Sequence, residues 1–516
     1  MVVRTEGDSI AGKTLTNPGT NVIPAGPFNA GLVIRDRAEV PHSYQAEALP
    51  QLNTDSWRVT PDGRMETTYR LKPNLTWHDR TPLTAHDYAF AFKVYSVPEV
   101  SYSAIASPMN KIEEVVATDD RTVLIRWKQP FAEAGELVAA DLQALPRHIL
   151  EQPFGQLSSE QFVAHPYWTL EYVGSGPFRV TRWERNVYLE AEAFDGHVLG
   201  RPKIDRLRVV PIPDPNVVLA NMLAGETHIA VANAMPFQQG WLLKREWDQR
   251  GDGVVPVNPG GARRTENQVH PDRATPRFMM DVRVRRALAH SMNRQAVNDA
   301  IFEGTGIDAH TLVSPNVAYF ADVERALAKY NYDLRRTEQL MNEAGLAKGA
   351  DGFYTSPTGD RLDWEILCLS GPQNEAIQSV LADSWRRAGF NMTESIFPVA
   401  QVSDREARAR FSTIFTTDGG SLDGMNTAGI PTAQNRWSGS NRGSWSNAEY
   451  DRLVASWEAS LDRNQRNQNM VQMAKLYSEE LGSTPLFYHL TVTPHAAGLR
   501  GVTDGVYDIH QWFWAS

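Results

Sequence analysis

A histidine beside an aspartate, a single cysteine, a glycine-rich run and a loop with two tryptophans and two arginines are the residues of this 516-residue chain with chemistry to offer. His78 and Asp79 sit in Trp77-His78-Asp79. Neighbours on a turn do not face one another as an acid–base pair must, so the pair reads as the turn and cap before a helix. The 13 histidines form no His-x-x-x-His and no His-Glu-x-x-His. His489, His495 and His510 have spacings that make no helical face, so no metal and no cofactor are expected. Cys368 lies in the apolar run Trp364 to Leu369 and reads as a buried structural thiol rather than a nucleophile. There is no Gly-x-Ser-x-Gly and no phosphate loop, and Asp418 to Gly424 precedes no apolar helix. The loop Asn435 to Asn447 carries Trp437, Arg442 and Trp445 among small polar residues. Such a loop can stack a ring or an aliphatic chain and pair a carboxylate. Trp437 and Arg442 are expected to face a ligand cleft, and Trp445 can instead anchor the helix that follows.

The elements that must position these groups alternate irregularly between strand and helix. Leu32 to Ile34 and Met65 to Leu71 read as strands, with Asp62-Gly63 as the turn before the second. Thr84 caps a helix, with Asp87 three residues on. Residues 112–128 read as two strands, Phe178 to Trp183 as a strand after the Gly174-Ser175-Gly176-Pro177 break, and Ile204 to Ile212 as another. Asn216 to Leu223 is a helix closed by Gly225, and Ile229 to Val231 a buried strand. Residues 256–276, rich in Pro, Gly and Asn, read as a loop or crossover. Val282 to Phe302 reads as one helix, as do 333–345, 373–389 and 448–481, with strands near 362–369, 392–397 and 411–417. The stretch 418–447 is a long loop of the kind that carries function. The fold class is α/β, in two lobes with chain crossovers.

Composition narrows the classes. A length of 516 residues calls for two or more domains. With 42% hydrophobic and 22% charged residues the chain is globular. A net charge of −10 disfavours a nucleic-acid role and docking on an anionic membrane. Short basic runs such as Arg283 to Arg286 read as solvated faces. No apolar run reaches the ~18 residues of a membrane span. Residues 1–30 lack the basic segment and apolar core of a signal peptide.

Five segments, in order, resemble the peptide- and nickel-binding superfamily of ABC-transporter solute-binding proteins. Trp77 to Asp87 is similar to "W-H-D-G-x-P-x-T-A-x-D", with Arg80 in place of the glycine, which implies a different turn geometry. Gly174 to Phe178 matches "G-T-G-P-Y/F". Leu223 to Ala230 matches "L-x-x-G-E-x-D-I-A", with His228 at the acidic position. Asp281 to Arg294 resembles "D-x-R-V-R-x-A-L-x-x-A-I-D-R", and Asn447 to Asp451 resembles "N-P-E-Y-D". The resemblance implies a bilobal periplasmic-binding-protein fold of type II. Lobe I would hold 1–45, 174–265 and 488–516, with 46–173 as an inserted subdomain and 266–487 as lobe II. Hinged lobes of this kind close on their ligand.

The same resemblance implies site residues. In peptide-binding relatives a strand at Phe415, Thr416 and Thr417 pairs with the ligand backbone, and the aspartate that ends it, here Asp418, meets the ligand's ammonium. A strand edge binds backbone whatever the side chains, and a carboxylate in a closing cleft pairs well with an amine. Phe28 to Gly31 matches the other ligand-facing strand, with Asn29 and Ala30 toward the ligand; ordinary strand packing is the alternative. The function implied is solute capture for an importer, with a short peptide or similar solute as ligand, a permease as partner, and no nucleic acid. The chain would be a monomer, periplasmic or extracellular, with a lipid anchor in a full precursor an open alternative. An oligosaccharide ligand held on tryptophan platforms, a sensory or chaperone role and a hydrolase remain alternatives, the last without a nucleophile–base constellation to carry it.

Overall fold

Strand pairing, more than local propensity, sets the architecture of this computed structural model. It describes residues 1–4, 10, 25–36, 40–61, 63–101, 104, 107–231, 234–402, 404–503 and 509–515. The chain divides into two units: Met1–Val257 with Val492–Ser516, and Asn258–Thr491. The sequence set the chain crossings near 265 and 488; the division falls instead at the start of one long strand and the end of another, Val257–Asn267 and Ser483–Val492.

In the first unit, Val2–Val3, Arg206–Pro211, Tyr188–Ala193 and Phe178–Glu184 form one four-stranded sheet. Trp57–Val59, Met65–Arg70, Thr122–Trp127 and Ile112–Asp119 form a second. The helix Ala85–Tyr95 packs on that second sheet. Its capping box is formed: Thr84 N donates to Asp87 Oδ2 at 2.8 Å. Asp62, expected in the turn before Met65, lies outside the described residues, while Gly63 takes φ +83°.

The Trp77-His78-Asp79 turn and the Gly174-Ser175-Gly176 break prove to be one structure. His78 N donates to Gly174 O, Gly174 N donates to His78 Nδ1 at 3.2 Å, and His78 Nε2 donates to Gly176 O at 3.0 Å. A Cβ on Gly176 would lie 2.3 Å from Asn29 N and from Phe28 C, so glycine is required for this backbone approach. Burial lowers the His78 pKa to about 4, which matches a neutral ring that both accepts and donates. The different turn geometry expected at Arg80 is not found: Arg80 takes φ +72°, in the left-handed region glycine favours. Its N–H donates to Trp77 O, and its guanidinium lies 4.8 Å from the centre of the Phe194 ring, contacts that offset the ~1–2 kcal/mol cost of that conformation.

The second unit is built on a six-stranded sheet in the order Ile307–Asp308, Ser483–Val492, Val257–Asn267, Ile414–Asp418, Asp363–Leu369, Asn391–Phe397. Four sequence expectations need correction. Residues 257–267 are an interior strand of this sheet, not a loop; neighbours on both sides and burial of Ala262 to Asn267 override the propensities of Pro259, Gly260 and Gly261. The single helix over 282–302 is two, Val282–His290 and Arg294–Phe302, because Asn293 caps the second through a bond from Ala296 N and Ser291 Oγ turns back to Ala287 O. The segment 448–481 is likewise Ala448–Ala459 and Arg463–Glu480, broken where Asp462 caps the second helix. The strand expected at 411–417 runs Ile414–Asp418. In the first unit, Ile229 and Ala230 make only isolated bridges, to His495 and Val2, though the segment is buried as expected.

Candidate ligand-binding site

Asp418 is the last residue of a strand that is otherwise buried, Ile414 through Thr417. Its register partner across the sheet is Arg263. Residues opposite each other in a ladder share a face, and residues two apart on one strand do so too. Arg263 therefore reaches both Asp418 and Thr416: Nη1 donates to Asp418 Oδ1 at 2.9 Å and Nη2 to Thr416 Oγ1 at 2.9 Å. His489, from the strand on the other side of Arg263, places Nε2 2.6 Å from the same Oδ1. Partial burial pushes the Asp418 carboxyl up, but the His489 and Arg263 contacts outweigh it and hold the pKa at about 2. The carboxylate is thus ionised at any physiological pH, with its side chain 54% exposed and both of these contacts on Oδ1.

The neighbouring backbone is asymmetric. The strand Ile414–Asp418 pairs along its whole length with Arg263 to Asn267. On its other side the register with Asp363–Leu369 runs only Ile366↔Ile414 and Leu367↔Phe415. Thr416, Thr417 and Asp418 therefore lie beyond that second ladder. Phe415 itself is core, tilted against Phe411.

Arg442 belongs to a different constellation. Its Nη1 donates to Glu266 Oε1 at 3.0 Å, and Arg264 Nη2 donates to the same oxygen at 2.5 Å. Arg264 and Glu266 are two apart on one strand and share the face opposite Arg263. Trp437 is half-buried, with the guanidinium carbons of Arg273 and Arg410 at 5.7 and 5.0 Å from its ring centre. Trp445 is buried edge-on to Tyr450 and Tyr477, an anchor for the helix Ala448–Ala459.

Asn29 and Ala30 lie in the first unit. The strand expected at 28–31 is a turn followed by extended chain, because Phe28 N and Asn29 N both donate to Ala25 O. Asn29 Nδ2 donates to Ile10 O and Ala25 O, and its Oδ1 accepts from Gln143 Nε2 and Tyr172 OH. All four of its hydrogen-bonding positions are filled inside the unit. Ala30 is buried, and its N–H donates to Ser175 Oγ at 3.4 Å.

The sequence reading missed Arg263, Arg264 and Glu266, because it placed them in a loop, and it weighed His489 only as a metal ligand. The available signal was the alternation of Arg263, Thr265 and Asn267 with Arg264 and Glu266. Among the described residues no three His, Cys, Asp or Glu side chains come together as a metal site, and no helix is long and apolar enough to cross a membrane. A cavity of about 810 Å³ in the first unit is lined by His78, Arg80, Phe194, Lys203 and Trp514 among others, and by none of the expected site residues.

A profile of the bacterial extracellular solute-binding proteins, family 5 (middle region), matches residues 47–439. A Brucella ovis protein named as an ABC-transporter peptide-binding protein is 28% identical over 299 residues, 57% of this chain. The chain spans about half the length, 51%, of that relative. The dipeptide-binding protein of Escherichia coli K12 is 24% identical over 475 residues, 86% of this chain and 82% of that one. The crystal structure of NikA from Brucella suis in complex with Fe(III)-EDTA superimposes with a TM-score of 0.80 at 16% identity, over 100% of this chain and 99% of the other. At that identity the likeness speaks to the fold, which is the α/β fold expected from the sequence.

Proposed function

Because the chain belongs to the family 5 bacterial extracellular solute-binding proteins, we propose that it is the solute-capture component of an ABC importer and that it takes a short peptide or a similar amine-bearing solute. The observation that carries the ligand class is Asp418. It is an ionised carboxylate at the end of a strand whose last three residues extend past one of its two ladders. An extended peptide can pair with Thr416 and Thr417 there and bring its ammonium to Asp418 Oδ2. His489 and Arg263 fix the rotamer of Asp418, so little side-chain entropy is lost on binding. Relatives named for peptides and dipeptides support the same reading.

The reading assigns the chain no reaction of its own. Its other parts, held as proposals, are delivery to a permease, monomeric state, and a place outside the cytoplasm with or without a lipid anchor. Within the first unit, Met1–Val257 with Val492–Ser516, residues 46–173 are proposed as an inserted subdomain. Asn29 is left out of the ligand contacts, since its side chain is saturated. The sugar alternative rests on ring platforms, and Trp437 already holds Arg273 and Arg410 within cation–π range.

Asp418→Asn tests the proposal. Removing a charge-assisted bond to the ammonium should weaken binding of a free-amine tripeptide about tenfold or more, measured by calorimetry on refolded, ligand-free protein. Unchanged affinity removes Asp418 from the site.

A further inference from the structure

Glu266 is paired with two arginines, Arg264 and Arg442, and both use the same oxygen. Arg264, Glu266 and Arg442 have side chains 1%, 2% and 18% exposed. Charges taken out of water are normally matched one for one and fully hydrogen-bonded. Here they are not. Arg264 Nε and Nη1 and Glu266 Oε2 are buried without a hydrogen-bond partner. Arg264 is pinned where it is: Nη2 also donates to Ser440 O at 3.1 Å, and a Cβ on Gly420 would stand 2.8 Å from its Nη1.

A third arginine adds to the imbalance. Arg408, on the short helix Arg405–Ala409, is half-buried, and its Nε is buried and unpartnered. Burial lowers the pKa of its guanidinium, and repulsion from Arg442 and Arg405 lowers it further, against attraction from Glu266. The acids nearby in sequence are engaged elsewhere. Glu406 pairs with Arg410 at 2.7 Å, Asp404 accepts from Ala407 N as a helix cap, and Asp418 lies on the opposite face of the sheet with Arg263 and His489. Among the described residues, Arg264 and Arg442 pair with Glu266 alone and Arg408 is attracted to that same carboxylate without an ion pair of its own, which leaves two positive charges unmatched. Arg405, bonded to Ser438 Oγ at 2.7 Å, stands beside them.

We propose that Arg264, Arg408 and Arg442 around Glu266 form an anion-binding site for a small oxyanion of two or more negative charges, a polycarboxylate or a phosphate, on the face of the second unit's sheet opposite Asp418. Guanidinium groups present planar, paired donors that match carboxylate and phosphate oxygens, so the idle Arg408 Nε and the partly exposed Arg442 are suited to grip one. A monovalent anion would leave one surplus charge, which is why the site selects for at least two. The buried Glu266 neutralises one of the three charges and holds Arg264 and Arg442 in place.

The test uses the whole chain at constant ionic strength, followed by thermal unfolding and calorimetry. Propane-1,2,3-tricarboxylate, inorganic phosphate and chloride are the probes. A saturable rise in Tm with tricarboxylate or phosphate, absent with chloride, is expected; whichever of the two gives it identifies the anion class. Arg408→Gln should weaken that binding about tenfold or more, and Arg408→Lys should keep part of it. Because Arg408 is half-exposed and lies outside the strand, the unliganded variants should fold with wild-type circular dichroism. Equal Tm shifts for all three anions, no saturable binding, or undiminished binding in Arg408→Gln would overturn the proposal. None of these outcomes depends on whether Asp418 binds an amine.

Discussion

His78→Ala should uncouple two segments that lie nearly a hundred residues apart in sequence. In the wild type the ring accepts from Gly174 N and donates to Gly176 O, both in buried surroundings. Truncation strands a buried N–H and a buried C=O, each costing about 1–3 kcal/mol, so a loss of roughly 2–5 kcal/mol at pH 7.5 is expected. The ring also carries a pH signature. Its folded pKa is depressed from the ordinary 6.5 to about 4, mainly by burial. The unfolded chain therefore binds the proton more readily, and stability falls as pH falls. This contribution is complete above about pH 6.5 and drains away toward pH 4. Between pH 7.5 and 5.0 these two pKa values give a loss of about 2 kcal/mol from His78 alone. Urea unfolding of the first unit, followed by hydrogen exchange on peptides covering 170–180, measures it at both pH values. His78→Ala should be less stable at pH 7.5 and should lose about 2 kcal/mol less than wild type on going to pH 5.0. Wild-type stability, or the wild-type pH slope, in this variant would rule out His78 as the link between the two segments.

Three further outcomes follow from the same contacts. Gly176→Ala drives a Cβ to 2.3 Å from backbone atoms of Phe28 and Asn29 and should lower stability by more than about 2 kcal/mol, read as a fall in Tm. Asn293→Ala removes the cap of Arg294–Phe302 and should cost about 1 kcal/mol by urea titration, with binding unchanged. Cys368 is buried, with its thiol pKa raised to about 11 by burial and its Sγ donating to Gln378 Oε1, so a disulfide reagent should modify it only on unfolding.

Much of the first unit was legible because its signals are local. Thr84 and Asp87 form a capping box from four adjacent residues, and Gly225 and the 112–128 hairpin are marked by their own turns. The reading failed where long-range pairing overrides propensity. Val257–Asn267 carries Pro259 and two glycines yet runs between two strands of the central sheet. That one error hid Arg263, Arg264 and Glu266, and with them the partners of Asp418 and Arg442. Arg80 misled for the opposite reason: its side chain offsets, through Phe194, a backbone conformation that its type disfavours. Asn29 could not be placed from sequence, since three of its four partners come from segments distant from it in the chain.

Asp418 is proposed as the group through which the chain captures amine-bearing peptides. Calorimetric titration of refolded, ligand-free protein with matched tripeptides tests it most directly, one set with a free amino terminus, one N-acetylated, and a cello-oligosaccharide beside them. Saturable binding of the free-amine set is expected, with Kd between about a nanomolar and a micromolar and at least tenfold weaker binding once the amine is acetylated. Equal affinity for both peptide sets, or binding of the oligosaccharide alone, would contradict it.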